Sequence, residues 1–275
     1  MTRDNPRDVR RSGRLAALSM LASADVVVRQ PRWAAGAVAA AAPGVLFEVR
    51  TDRHLVALTF DDGPDPHVTP ALLEVLARHG ATATFFVMGD RAARNPAILH
   101  RIAGGGHELG NHLMGPEPTV AQALAAFERD LLRCGRLLSG IGDVRHYRPA
   151  SGWIRPRQLA VARRHGYRCV LGSVTLVRDP VRRPAAAAHL LAVRVRPGAI
   201  LVLHEGTADR GRIVETVDRL LTSLSRRGYR ARSVSSLLGA VATDAADGRC
   251  GSTIPPGTRS SCSSPSTADR GQHLA

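Results

Sequence analysis

The feature that most narrows the fold of this chain is an alternation. Between His54 and Leu238, short apolar runs suited to buried strands take turns with longer stretches of helical period. Leu55–Phe60 predicts a buried strand. Leu72, Leu73, Val75 and Leu76 open a helix that Gly80 ends. Thr82–Val87 is β-branched and aromatic and predicts a second strand. The helical pattern of Arg91–Ala103 stops at Gly104-Gly105-Gly106, and a short strand follows at His107–Gly110. A long helix is expected over Thr119–Leu138, with Thr119 as N-cap. Further strands are expected at His146–Arg148, Arg168–Val174, Ala199–Leu203 and Arg230–Val234. Helices near Pro156–His165, Ala185–Leu191 and Gly211–Arg227 fill the intervals. Repeated strand–helix units imply an α/β fold with a parallel sheet covered by helices, because parallel neighbours need a crossover. About seven such units suit an open or incomplete (β/α) barrel better than a six-stranded open sheet.

In a barrel of this kind chemistry gathers at the C-terminal ends of the strands. That rule nominates positions just after Phe60, Gly110, Tyr147, Val174 and Leu203. The first strand runs into Thr59-Phe60-Asp61-Asp62-Gly63-Pro64. Asp-Gly-Pro is ordinary turn chemistry. Two adjacent carboxylates behind a buried strand are nevertheless costly unless a cation or a proton separates their roles. One can then bind a metal while the other acts as a base. Asn111-His112 follows the third strand, Arg148 the fourth, and Asp179 lies in a longer loop after the fifth. Leu203-His204-Glu205 ends the sixth. A lone His would more often be structural, but this face also receives two Asp, a second His and an Arg.

Composition bounds the alternatives. The net charge is +15, and all 38 cationic residues are Arg. The excess is spread through the body, with no Arg-rich helix, zinc-finger spacing or aromatic-interleaved RNA signature, so no specific nucleic-acid partner is expected. A solvated surface accounts for it, and attraction to an anionic polymer is the sharper alternative. Four Cys are too few for a disulfide scaffold. Cys134 and Cys169 sit in apolar patterns as buried thiols, and Cys250 and Cys262 lie near the C-terminus, where pairing is open. Residues 1–44 read as an N-terminal extension. Its basic start, the apolar run Leu15–Ala24 and the Ala22-Ser23-Ala24 site are weakly signal-like, which leaves secreted and cytoplasmic locations level. Trp33–Phe47 is too short to span a bilayer, which takes ~20 apolar residues. Residues 45–240 form the domain, and 241–275 read as a disordered Ser/Pro-rich tail.

From about Val45 to Leu238 the chain resembles the polysaccharide deacetylases of the NodB-homology type, carbohydrate esterase family 4. Thr-Phe-Asp-Asp-Gly-Pro at 59–64 matches the first motif of that family in full. The resemblance implies a distorted, incomplete (β/α) barrel. It also implies metal-dependent removal of N- or O-acetyl groups from a carbohydrate such as a chitin oligosaccharide or peptidoglycan. By the same resemblance Asp61 matches the general base, Asp62 and His112 match metal ligands, and Arg148 matches the residue that orients the base. Asp179 resembles the acid that tunes the catalytic His, with its spacing from Ser173 slightly altered and Pro180 where the family usually has Trp, and His204 matches the general acid. Val202 and Trp153 would help wall the acetyl pocket. The implied cofactor is a divalent metal, zinc first, with cobalt, manganese or nickel as alternatives.

Two motifs depart from the family pattern. The second ligand His belongs four residues after His112, and that position is Pro116. Glu117 beside it is the candidate replacement, since divalent metals accept carboxylate oxygen. The third motif reads Arg148-Pro149-Ala150-Ser151-Gly152, where the backbone N–H of Ser151 can still serve an oxyanion. Three readings follow, in this order: a deacetylase or related amidase with a modified metal site, a non-catalytic carbohydrate-binding relative with a decayed site, and an Arg-rich anion binder.

Overall fold

The computed structural model describes residues 27–29, 44–176, 183–205 and 212–246. Its strands are β1 (Val27–Arg29), β2 (Val45–Leu46), β3 (Leu55–Gly63), β4 (Thr84–Val87), β5 (Glu108–Asn111), β6 (His146–Tyr147), β7 (Arg168–Val170), β8 (Val174–Leu176), β9 (Ile200–His204) and β10 (Arg230–Arg232). Its helices are α1 (Val68–Arg78), α2 (Gly89–Arg94), α3 (Pro96–Gly104), α4 (Leu124–Ser139), α5 (Pro156–Arg164), α6 (Pro184–Arg194), α7 (Ile213–Arg226) and α8 (Val234–Ala246). The described strands form one sheet in the order β1-β8-β9-β3-β4-β5-β6-β7-β2, with β10 also on β3. Every named pair is parallel except β1 with β8. The sheet curls into an open barrel with helices outside, as expected. It has more strands than seven, because short edge strands β1 and β2 are added and the expected strand at 168–174 is two.

Alternation along β3 sorts its residues into two cores. Leu55 and Ala57 face the barrel interior with Phe86, Val170 and Ile200, and α8 plugs the lower end with Val234 and Leu237. Val56, Leu58 and Phe60 face outward into the larger cluster beneath the helices. A strand exposes opposite faces at successive residues, so Thr59 and Asp61 fall on the interior side. In α7, buried Ile213, Thr216, Val217, Leu220, Leu221 and Leu224 recur at helical spacing and form its inward stripe.

Several boundaries differ from the sequence expectations. The helix at 91–103 is two, α2 and α3, because Pro96 disfavours helical backbone at Asn95. Thr119 opens a 3-10 turn at Thr119–Ala121, and the long helix starts after Ala123. Helix α8 continues to Ala246, so the tail cannot begin at 241. Cys134 and Cys169 are buried thiols, each pushed up to about 12 chiefly by burial. The signal-like segment, Cys250 and Cys262 lie outside the described residues.

Candidate active site

A cleft of about 610 Å³ opens where the strands end. It is lined by Asp61, Asp62, His112, Arg148, Ser151, Val202 and His204, so most of the nominated residues converge. Met88, Leu171 and Thr175 add to its walls and Arg91 lies at it, none of them singled out by sequence. Gly172 leaves room for Val202: a Cβ there would sit 2.2 Å from the Val202 Cγ2 atom.

Alternation alone would point Asp61 into the cleft and Asp62 away from it. A bulge resolves this. The β3–β4 register shifts between Asp61 and Gly63, and Asp62 takes φ 66°, a left-handed conformation that re-aims its side chain. Asp is among the few non-Gly residues that tolerate it.

Arg148 is the organiser of the interior face. Its guanidinium donates to Asp61 Oδ1 at 2.6 Å, to Thr59 Oγ1 at 2.7 Å, and to the carbonyls of Val170 and Leu171 at 3.0 and 2.9 Å. It also lies 4.1 Å above the Phe86 ring. Asp61 is thereby held as an acceptor, with one oxygen fixed by the fork. Asp61 and His204 are register partners on β3 and β9. The Asp61 carboxylate and the His204 imidazole therefore sit on neighbouring strands, which run about 4.8 Å apart.

His112 accepts its orientation from Arg148 as well. Its Nδ1 is 2.9 Å from the Arg148 carbonyl, which fixes that nitrogen as the N–H and leaves Nε2 to face Asp62 Oδ1 at 3.4 Å. Burial lowers the imidazole pKa, but the carboxylates of Asp62 and Asp61 outweigh it and the net shift is upward. A metal would replace that proton. Two donors about 2.1 Å from one ion at a tetrahedral angle stand roughly 3.4 Å apart, so this pair fits a single divalent cation.

The third protein donor is another matter. Among the described residues, no group of three or more His, Cys, Asp or Glu side chains could hold a metal ion. Pro116 lines the cleft at the expected position. Glu117 is exposed and is not among the lining residues, so it does not replace the missing ligand. Trp153 is also misplaced by the sequence reading. Ser151 at φ 66° and Gly152 at φ 74° swing the chain outward, and Trp153 is 73% exposed rather than a wall of the pocket. Asp179 lies outside the described residues.

Known proteins resemble this chain in sequence and in fold. The sequence profile named polysaccharide deacetylase matches residues 48–170. A peptidoglycan-N-acetylglucosamine deacetylase of Bacillus cereus is 33% identical over 197 residues, covering 70% of this chain and 92% of the relative. A chitooligosaccharide deacetylase of Sinorhizobium fredii is 36% identical over 196 residues, covering 65% and 89%. The crystal structure of BA3943 from Bacillus anthracis, a pseudoenzyme of carbohydrate esterase family 4, superposes with a TM-score of 0.66 at 23% identity, covering 71% and 69%. The mostly parallel open barrel is the fold of carbohydrate esterase family 4 structures. The chain belongs to the polysaccharide deacetylase family.

Proposed function

We propose that the chain hydrolyses the acetamide of an N-acetylated amino sugar, of the chitooligosaccharide or peptidoglycan type. The buried Arg148–Asp61 pair beside His204 is the observation that carries this reading. Asp61, held and aimed by Arg148, takes a proton from water as the water oxygen bonds to the acetyl carbon. The Ser151 N–H, at the cleft wall, would stabilise the oxyanion. His204 gives a proton to the leaving nitrogen as the C–N bond breaks, and acetate and the free amine result. An acetyl ester would follow the same course with an alcohol leaving. Asp62 and His112 would hold the divalent ion, zinc before cobalt, manganese or nickel. When bound, that ion supplies Lewis-acid polarisation of the carbonyl and a lowered pKa for water. Asp179 is the candidate partner of His204.

One observation favours a second reading. Pro116 brings no donor to the metal, which suits a relative that binds acetylated carbohydrate without cleaving it. Acetate release from N-acetyl chito-oligosaccharides and peptidoglycan, beside saccharide binding by calorimetry, separates the two. On the hydrolase reading, Asp61→Asn and His204→Ala each lower turnover by roughly 10²–10⁴-fold and leave binding in place. Saccharide binding with no acetate release by the parent protein, in zinc or cobalt, refutes the hydrolase reading and leaves the binder.

A further inference from the structure

Glu205 follows His204 and has no part in the chemistry above, yet it is fully buried. A carboxyl group is an expensive occupant of such a place, since an apolar side chain would avoid its desolvation. Its contacts are specific. The Glu205 N–H donates to the Asp61 carbonyl at 3.0 Å, extending the β3–β9 ladder one step beyond His204. Oε2 accepts the Thr69 hydroxyl at 2.6 Å, and Thr69 Oγ1 accepts the Asp65 N–H at 2.8 Å. Asp65 Oδ1 in turn accepts the N–H groups of His67 and Val68, both at 2.9 Å, at the first turn of α1. Oε1 lies against Gly63, where a Cβ would stand 1.8 Å from it, and it has no hydrogen-bond partner among the described residues. The glycine that follows the bulged Asp62 is therefore the residue that admits the carboxyl.

We propose that Glu205 is a positioning residue that straps the strand end carrying His204 to the loop carrying Asp61 and Asp62. The strap has two fastenings. One is the main-chain bond to Asp61; the other runs through Thr69 and Asp65 to the start of α1. Together they fix the spacing of acid and base, the quantity on which concerted proton transfer depends. The inference rests on the deacetylase reading for its catalytic consequence but not for its structural one. The charged groups facing the carboxyl are Asp65 and Asp62, which raise its pKa, and Arg91, which lowers it; burial is the largest cause and the result is about 8. A glutamine amide has the same shape and its oxygen can accept the Thr69 hydroxyl, so it should serve in place of the carboxyl.

The test compares Glu205→Gln, Glu205→Ala and Thr69→Val in the full chain. Acetate release gives kcat and KM across pH 6 to 9, and amide hydrogen exchange follows residues 62–69. Glu205→Ala should lower kcat about tenfold or more with little change in KM, and should speed exchange in that segment. Glu205→Gln should restore both to within about threefold of the parent. Thr69→Val cuts only the second fastening and should raise exchange around Asp65 without emptying space in the fold; it judges the proposal if the alanine variant fails to fold. Parent-like exchange and kcat in Glu205→Ala, or a Gln variant as impaired as the alanine one, would overturn it. If the parent releases no acetate, the deacetylase reading fails and hydrogen exchange alone decides the strap.

Discussion

Removing the guanidinium of Arg148 should cost the protein a large part of its stability, and lysine should not restore it. The side chains of Arg148 and Asp61 are 3% and 5% exposed, so the pair is shielded from bulk water at the cleft floor. Arg148→Met keeps the volume of the stem and its contact with Phe86 but deletes the donors to Asp61, Thr59 and two carbonyls. Breaking a buried ion pair from one side costs about 3–5 kcal/mol, because the remaining charge is left uncompensated. The orphaned carbonyls of Val170 and Leu171 add to that. Set against a total stability of roughly 5–15 kcal/mol, the variant is marginal, and its Tm should fall on the order of 10 °C. Arg148→Lys can meet Asp61 with one ammonium but cannot span four acceptors held by a planar fork. Asp61→Asn removes the stranded charge, so the double variant Asp61→Asn/Arg148→Met should lose much less than the two single losses added together. Urea unfolding followed by circular dichroism, run as a double-mutant cycle, measures each quantity. A loss below about 1 kcal/mol in Arg148→Met, or no coupling in the cycle, would refute the account of Arg148 as the organiser of the interior face.

Pro116→His should raise affinity for Zn²⁺ or Co²⁺ by at least about 10-fold, the low end of what even outer-shell changes achieve. Titration of the metal-free protein measures it, and unchanged affinity in a folded variant counts against the two-donor site. Glu117→Ala should leave that affinity unchanged, since Glu117 is exposed outside the cleft. Acid should unfold the protein in two windows. His107, pushed down to about 4 by burial, folds as the neutral ring, so its contribution is whole above its ordinary 6.5 and is lost as pH falls toward 4. For Glu108, burial raises the pKa, but His146, Ser235 and Thr84 outweigh burial and bring it to about 2. Its contribution is whole above its ordinary 4.5 and is lost as pH falls toward 2. Urea midpoints measured from pH 7 to 2 should therefore drop twice, and Glu108→Gln should remove only the lower drop; a profile unchanged by that substitution would refute the assignment.

The sequence was most informative where a period of two carries the information. Leu55, Ala57, Thr59 and Asp61 share the interior face of β3, and Val202 and His204 share that of β9, so the alternation shows which of them reach the cleft. It was blind where the period breaks. The bulge at Asp62 leaves no mark in hydrophobicity, and the split of 168–174 into β7 and β8 depends on a carbonyl-rich turn that Arg148 holds from another strand. The outward swing at Ser151 and Gly152, which carries Trp153 away from the cleft, is likewise a matter of backbone dihedrals. Glu205 escaped notice because its significance lies in contacts across the fold, with Gly63 and Thr69.

The backbone around residue 116 differs from what the motif spacing suggests. The spacing from His112 to residue 116 suggests two side chains on one face of a helical turn. The chain there is not helical, and Leu113 takes φ 62°. What holds the loop is the start of α2: the N–H groups of Gly89 and Asp90 donate to the carbonyls of Leu113 and Met114 at 2.8 and 3.0 Å. These bonds involve main-chain atoms alone, so they do not depend on which side chain stands at 116. They bring residue 116 to the cleft wall although that residue is Pro. Asp62, His112 and residue 116 thus line one cleft, with Pro in the third place. That is why substitution at 116, rather than remodelling of the loop, is the change that should complete the site.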